Sequence, residues 1–471
     1  GLPKGAFKEL AKDPSNPANF YVTVLGKGIY RSTDSGATWT NITNDITGIG
    51  TTATNDNFRI AVHSKNGTTA IYAGVVNNSQ LDSIWRSSDN GATWVKMDSP
   101  TTVEKLGDQF GPSTTVSLHY GKQGNTHFSL IADPNDPNIV YVGGDTQTLP
   151  APQRDKNGKF RNSVGGTAYT SRLFRGDFSQ PAGERWRPIT DDFANGTTTH
   201  ADSRNMTFDK DGNLLEVNDG GIYKRTNPKQ DTGSWTSLNN NLGITEVHSV
   251  DYDFNTGIIM VGAQDNGSSQ GKAFGDQKWE ERSGGDGGRV RIDDRNPKFS
   301  IRYTSSQELR GFQYQQVDKN NNVPIKLVVP ELLVGTAEEK LKDYVKKNEG
   351  EQVELPFITP VELNKVKSDW LVIGSSNRVY ESKNRGQTLT DLTKTNLPAS
   401  SDSTLSSDST FGPAIAYGGK SGGVDNPDVL YVGTKEKLYL RKAGETELTE
   451  VKSYPQQTGS TNIDIVLDPK D

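Results

Sequence analysis

The chain has no cysteine in its 471 residues, which removes disulfides, thiolate metal centres and cysteine nucleophiles together. It also lacks any apolar run approaching the length of a membrane span, so no transmembrane segment is expected. Gly1-Leu2-Pro3-Lys4 has none of the features of a signal peptide, and the sequence reads as a processed or excised segment, part of a larger extracellular or cell-surface protein or assembly. There is no excess of positive charge: 52 Lys and Arg stand against 58 Asp and Glu, net −6. No basic cluster interleaved with aromatics occurs, which argues against a nucleic-acid partner. Hydrophobic residues are only 31% of the chain, whereas glycine occupies 49 positions and proline 22. With abundant Asn, Asp, Ser and Thr, that composition suits many short strands separated by tight turns, an all-β fold.

One octapeptide recurs nearly letter for letter: Ser32-Thr33-Asp34-Ser35-Gly36-Ala37-Thr38-Trp39 and Ser87-Ser88-Asp89-Asn90-Gly91-Ala92-Thr93-Trp94. Each copy follows a short alternating run, Gly28-Ile29-Tyr30-Arg31 or Ser83-Ile84-Trp85-Arg86, so it sits where a strand ends and must reverse. The Asp accepts hydrogen bonds from turn N–H groups, the Gly supplies a positive φ, and the Trp is a large apolar plug just beyond. The pattern Ser-x-Asp-x-Gly-x-x-Trp resembles the Asp-box of the bacterial-neuraminidase-repeat proteins. That resemblance implies that the box joins the third and fourth strands of a β-propeller blade and that Ser32, Asp34, Gly36, Trp39, Ser87, Asp89, Gly91 and Trp94 are structural. A third, degraded copy is Ser382-Lys383-Asn384-Arg385-Gly386-Gln387-Thr388-Leu389.

A second phrase opens each unit: an apolar strand, then Asp-Pro and a polar turn, then a second strand ending in Gly. It occurs at Asp13-Pro14 and Asp133-Pro134, and more loosely at Asp209, Asp253 and Asp293. The two phrases together place units near residues 8, 57, 125, 199, 243, 288, 367 and 411, about eight four-stranded blades of one propeller over 1–471, with seven to nine admissible. Ile463-Asp464-Ile465-Val466-Leu467-Asp468-Pro469 is a further opening phrase, which either closes the ring against the first blade or starts another unit of a longer protein. Thr336-Ala337-Glu338-Glu339 is a capping-box pattern before a helical composition near 336–348. Residues 330–365 therefore read as an insertion in the sixth unit, a solvated decoration or else a lid or partner surface.

In such a blade the Asp-boxes and Asp-Pro turns share one face. Links between blades and second-to-third-strand loops share the other, and there the chemistry gathers. His127, His200 and His248, three of only five histidines, fall at equivalent links. The loops add Asp145, Asp219 in Asn218-Asp219-Gly220-Gly221, and Gln264-Asp265, while the next link adds Asp286. With Arg204, these are the candidate ligand-binding residues. His200, Asp202, Asp265 and Asp286 offer ligands for a divalent cation, calcium among them. Asp202, Asp265 and Asp286 are the carboxylates from which a glycosidase pair could be drawn.

Residues 199–290 carry His-x-Asp, Asn-Asp-Gly-Gly-Ile-Tyr, Gln-Asp-Asn-Gly and Gly-Asp-Gly in succession. They resemble the sortilin-like and xyloglucan-hydrolase-like propellers more than true sialidases; Phe58-Arg59-Ile60-Ala61 lacks the Pro of the sialidase motif and follows the first Asp-box. Where such relatives carry a second histidine after His-x-Asp, this chain has Arg204. The leading expectation is a noncatalytic extracellular propeller that binds polysaccharide or protein through its His/Asp-rich face. The alternative is a glycoside hydrolase using two of the aspartates.

Overall fold

A computed structural model describes residues 1–43, 48–49, 55–105, 113–148, 161–166, 169–271, 278–323, 327–336, 338–349, 355–375, 378–392, 414–433, 437–454 and 465–468. The fold is all-β and of the propeller type, a succession of largely antiparallel sheets in which strands pair chiefly with their neighbours in sequence. By its contacts the chain divides into two compact units, Gly1–Ile244 and Thr245–Asp471.

Among the described residues the first unit holds four four-stranded sheets, opening with Phe7–Lys12, Asn55–Lys65, Ser129–Ala132 and Asn205–Phe208, and a two-stranded sheet of Thr102–Lys105 and Ser113–Val116. The second unit also holds four sheets, opening with Val247–Asp253, Arg291–Asp293, Val361–Leu363 and Ile415–Ser421. Each start falls within a few residues of a unit start read from the sequence. In several sheets the second strand is the most apolar. Ile139–Thr146 is buried at every position but its last because neighbouring sheets cover both its faces, and it reads as a continuous Val/Ile/Tyr run.

Both recurring phrases work as hydrogen-bonded turns. Asp13, Asp133, Asp209, Asp253 and Asn364 each accept, at Oδ1, the N–H two residues on, at 2.9, 2.8, 2.9, 3.1 and 2.8 Å; these are Asx-turns that start the second strand. In the first octapeptide, Asp34 accepts from Ser32 Oγ at 2.7 Å, Thr38 N at 2.8 Å and Thr38 Oγ1 at 2.5 Å. These bonds hold its carboxyl down at about 2. Asp89 repeats the arrangement, and Trp94 Nε1 reaches across to the Ile42 carbonyl at 3.2 Å, stapling the second sheet to the first. Asn384 closes the degraded box with the same bonds from Ser382 and Thr388 at 3.0 and 2.9 Å, and Gly36, Gly91 and Gly386 share φ 91°. Charge is therefore dispensable to the turn and the side-chain oxygen is not. Thermal melts should show Asp89→Asn close to wild type and Asp89→Ala clearly lower.

The insertion departs from expectation in two ways. The sixth sheet has three strands, its fourth reduced to a bridge between Tyr314 and Val328. The insertion strand Leu333–Val334 instead pairs in parallel with Thr388–Asp391 of the seventh sheet. The helix runs Leu341–Glu349, and Glu339–Lys340 is strand, so the capping-box pattern does not start it; Ala337 lies outside the described residues. Nor is the helix a solvated decoration. Leu341 and Val345, one turn apart, are buried with Val334, Tyr380 and Leu389, and Tyr344 donates to Asp391 at 3.2 Å. Among the described residues no helix is long and apolar enough to cross a membrane.

Candidate functional site

In the first unit two inter-sheet links and one turn within a sheet converge. His127 precedes the third sheet, Asp202 precedes the fourth, and Asp219 lies in the turn between Leu214–Asn218 and Gly221–Arg225. One ligand-type atom from each lies within 4.8 Å of the others. His127 Nδ1 is 2.5 Å from Asp202 Oδ1. Asp202 takes a left-handed conformation, φ 73°, imposed by backbone bonds on both sides of its side chain: its N–H donates to the Asp145 carbonyl at 3.1 Å, and that of Ser203 to Gly144 at 2.9 Å. Arg204 forks onto Asp219 through Nε at 2.7 Å and Nη2 at 3.0 Å, so Arg204 orients a carboxylate. His200 packs over the Gly220 turn, where a Cβ would come 2.4 Å from the His200 Cβ; this explains the glycine after Asp219.

Asp145 lies beneath this group and is fully buried. Burial raises its carboxyl and the Asp202 charge adds to the effect, against backbone N–H groups of Gln123, Gly121 and Thr146. Sequence reasoning missed Glu216. It is fully buried, accepts from Asn218 Nδ2 at 2.7 Å, and is pushed up to about 8, chiefly by desolvation. The signal was available: in Leu214–Asn218 alternate positions are buried, so Glu216 shares the inward face with Leu214 and Asn218.

The second unit gathers the remaining candidates. Gln264 Nε2 donates to Asp265 Oδ1 at 3.0 Å and to Asp286 Oδ1 at 2.5 Å, and the Asp265 N–H also donates to Asp286 Oδ1 at 3.0 Å. The two carboxylates thus share one amide donor, and both are partly solvent-accessible. Gln307 accepts the Asp286 N–H at 3.1 Å and ties the loop to the next sheet. His248 is set back from the pair. Its side chain is 3% exposed, Nδ1 lies 3.0 Å from the Gly287 carbonyl, and its ring packs edge-on against Phe357.

The chain is similar in sequence to a xyloglucanase. That protein, from Paenibacillus sp., is 26% identical over 281 residues, which are 56% of this chain and 24% of the xyloglucanase; the chain spans about a quarter of the relative's length. No protein-family model matches the chain. Among solved structures, an ancestral GH74 enzyme aligns with 94% of this chain and 57% of its own length at 15% identity, TM-score 0.49. The GH74 xyloglucanase of Xanthomonas campestris aligns with 93% of this chain and 70% of its own at 13% identity, TM-score 0.37.

The Asp265 and Asp286 carboxylates are thus held side by side by one amide and are partly open to solvent. A second feature of this unit was not legible in the sequence. A cavity of about 580 Å³ is lined by Tyr252, Phe254, Arg291, Glu362, Lys365 and Tyr417, among others, and Arg291 forks onto Glu362 at 2.9 and 2.7 Å. Val247 pairs with Ala263, and Asp253 with Ile258. The Asp265 loop and the Tyr252–Phe254 side of the cavity therefore sit at opposite ends of one sheet. The cavity lies at the end carrying the Asx-turns, which sequence reasoning treated as structural.

Proposed function

We propose that this chain is part of an extracellular glycoside hydrolase acting on xyloglucan, with Asp265 and Asp286 as its carboxylate pair in the second unit. Similarity to a xyloglucanase favours this reading over a noncatalytic binding propeller. The observation that carries it is the shared amide: Gln264 Nε2 contacts both carboxylates, which keeps two like charges adjacent and open to a ligand. Hydrolysis of a glycosidic bond requires one carboxyl to protonate the leaving oxygen while the other serves water or the anomeric carbon. Asp202, in the first unit, is placed with His127 instead and takes a different role.

The test is reducing-sugar release from xyloglucan, alongside calorimetric binding of xyloglucan oligosaccharides. Asp286→Asn and Asp265→Asn should each lower hydrolysis by roughly 10²–10⁴-fold while oligosaccharide binding and the thermal melt persist. Wild-type rates in either variant would remove the pair from catalysis. Oligosaccharide binding by a wild type without hydrolysis would restore the noncatalytic reading.

A further inference from the structure

We propose that His127, Asp202 and Asp219 of the first unit form a binding site for a divalent transition-metal ion such as Zn²⁺. The inference rests on two independent observations. One is convergence: an imidazole nitrogen and two carboxylate oxygens lie within 4.8 Å of one another, a donor set of one nitrogen and two oxygens that suits a borderline cation. The other is what two of its members lack. His127 is only 8% exposed, and neither its Nδ1 nor Asp202 Oδ1 has a hydrogen-bond partner among the described residues.

The 2.5 Å between those atoms is therefore a close approach without the alignment of a hydrogen bond. An imidazole nitrogen that carries no proton and a carboxylate oxygen both present lone pairs, and two lone pairs at that distance repel unless positive charge, a proton or a metal ion, lies between or beside them. A cation in the trio supplies it, after the pair opens by a few tenths of an ångström to admit metal–ligand bonds of about 2.0–2.2 Å.

The surroundings are those of a supported site. The His119 ring contacts the His127 carbonyl at 3.0 Å, and the His127 N–H donates to Gln123 at 2.9 Å, fixing the backbone that carries the imidazole. Asp202 is fixed through the Asp145 carbonyl. Arg204 holds Asp219 by both oxygens, an orienting contact of the kind that metal-ligating carboxylates carry. Its charge opposes the cation, but two carboxylates against one guanidinium leave the group net negative. Three protein ligands leave coordination positions for water or a ligand hydroxyl.

The decisive measurement is Zn²⁺ titration of the chelator-treated full chain by calorimetry, with Co²⁺ absorption spectra reporting the ligand field. Wild type should take up one equivalent of Zn²⁺ and melt at a higher temperature with it. Asp202→Asn, which keeps the side chain's shape, and His127→Ala should each weaken uptake at least about 100-fold and abolish the Co²⁺ band. Circular dichroism in chelator should show both variants folded; if His127→Ala fails to fold, Asp202→Asn decides. No stoichiometric uptake by wild type, or uptake unchanged in Asp202→Asn, overturns the site. Neither result depends on hydrolysis.

Discussion

Asp253→Ala should destabilise the second unit by about 3–5 kcal/mol, the cost of leaving a buried charge without its partner. Asp253 ends the first strand of the fifth sheet, and Arg302 lies in Phe299–Thr304 of the sixth. Their side chains are 0% and 3% exposed. Arg302 reaches Asp253 Oδ2 through Nε at 3.0 Å and Nη2 at 2.6 Å, while Ser300 Oγ donates to Oδ1 at 2.7 Å. Burial pushes the Asp253 carboxyl up, but the bonds from Ser300 and Arg302 and the guanidinium charge outweigh it, and the net shift is downward. A depressed carboxyl adds stability that is present above its unfolded value and lost as pH falls through the folded one. Chemical denaturation of wild type and Asp253→Ala measures the loss. A variant within about 1 kcal/mol of wild type would contradict the prediction, because the desolvated guanidinium would then have found other compensation. In the double variant Asp253→Leu/Arg302→Met much of the stability should return, since the guanidinium left unpaired is what costs most.

The same residue marks how far the sequence could be read. Asp253 was recognisable as an opening-phrase turn because its bond to Asn255 N spans two residues. Its second role, joining two sheets through Arg302, depends on a contact 49 positions away and has no local signature. The octapeptide turns were legible for the first reason, down to Asn384 standing in place of Asp. The helix of the insertion was legible in its composition and lies at Leu341–Glu349, whereas the parallel pairing of the insertion with Thr388–Asp391 is non-local and has no local signature. At the candidate sites, the periodicity of the units placed His127, Asp202 and Asp219, and likewise Asp265 and Asp286, in loops and links between strands. It could not tell which side chains meet within a loop cluster. His200 was the natural ligand by spacing to Asp202, yet its ring lies over Gly220, and His127 from another link is the imidazole beside Asp202.

Glu216→Gln should flatten the pH dependence of stability in the first unit. Glu216 is fully buried, and desolvation pushes its carboxyl up to about 8. Asn218, Ser203 and Thr199 favour the ionised form without overcoming that burial. In the unfolded chain the group ionises near 4.5, so between those values the unfolded state has released a proton that the folded state keeps. Stability is then complete below the unfolded value, falls as pH rises, and stops falling once the folded group has ionised. The slope is roughly 1.4 kcal/mol per pH unit, a loss of about 2–3 kcal/mol across two units inside the window. Glutamine has no proton to lose, so denaturation series from about pH 5 to about pH 8 should show a falling limb in wild type that Glu216→Gln lacks. Superimposable profiles would mean that Glu216 ionises in the folded protein as it does in the unfolded one. Because Asp219 contributes to the upward shift, a cation bound at His127, Asp202 and Asp219 should move the limb to lower pH. The stability profile with and without Zn²⁺ would then report occupancy of the site from a residue that does not ligate the metal.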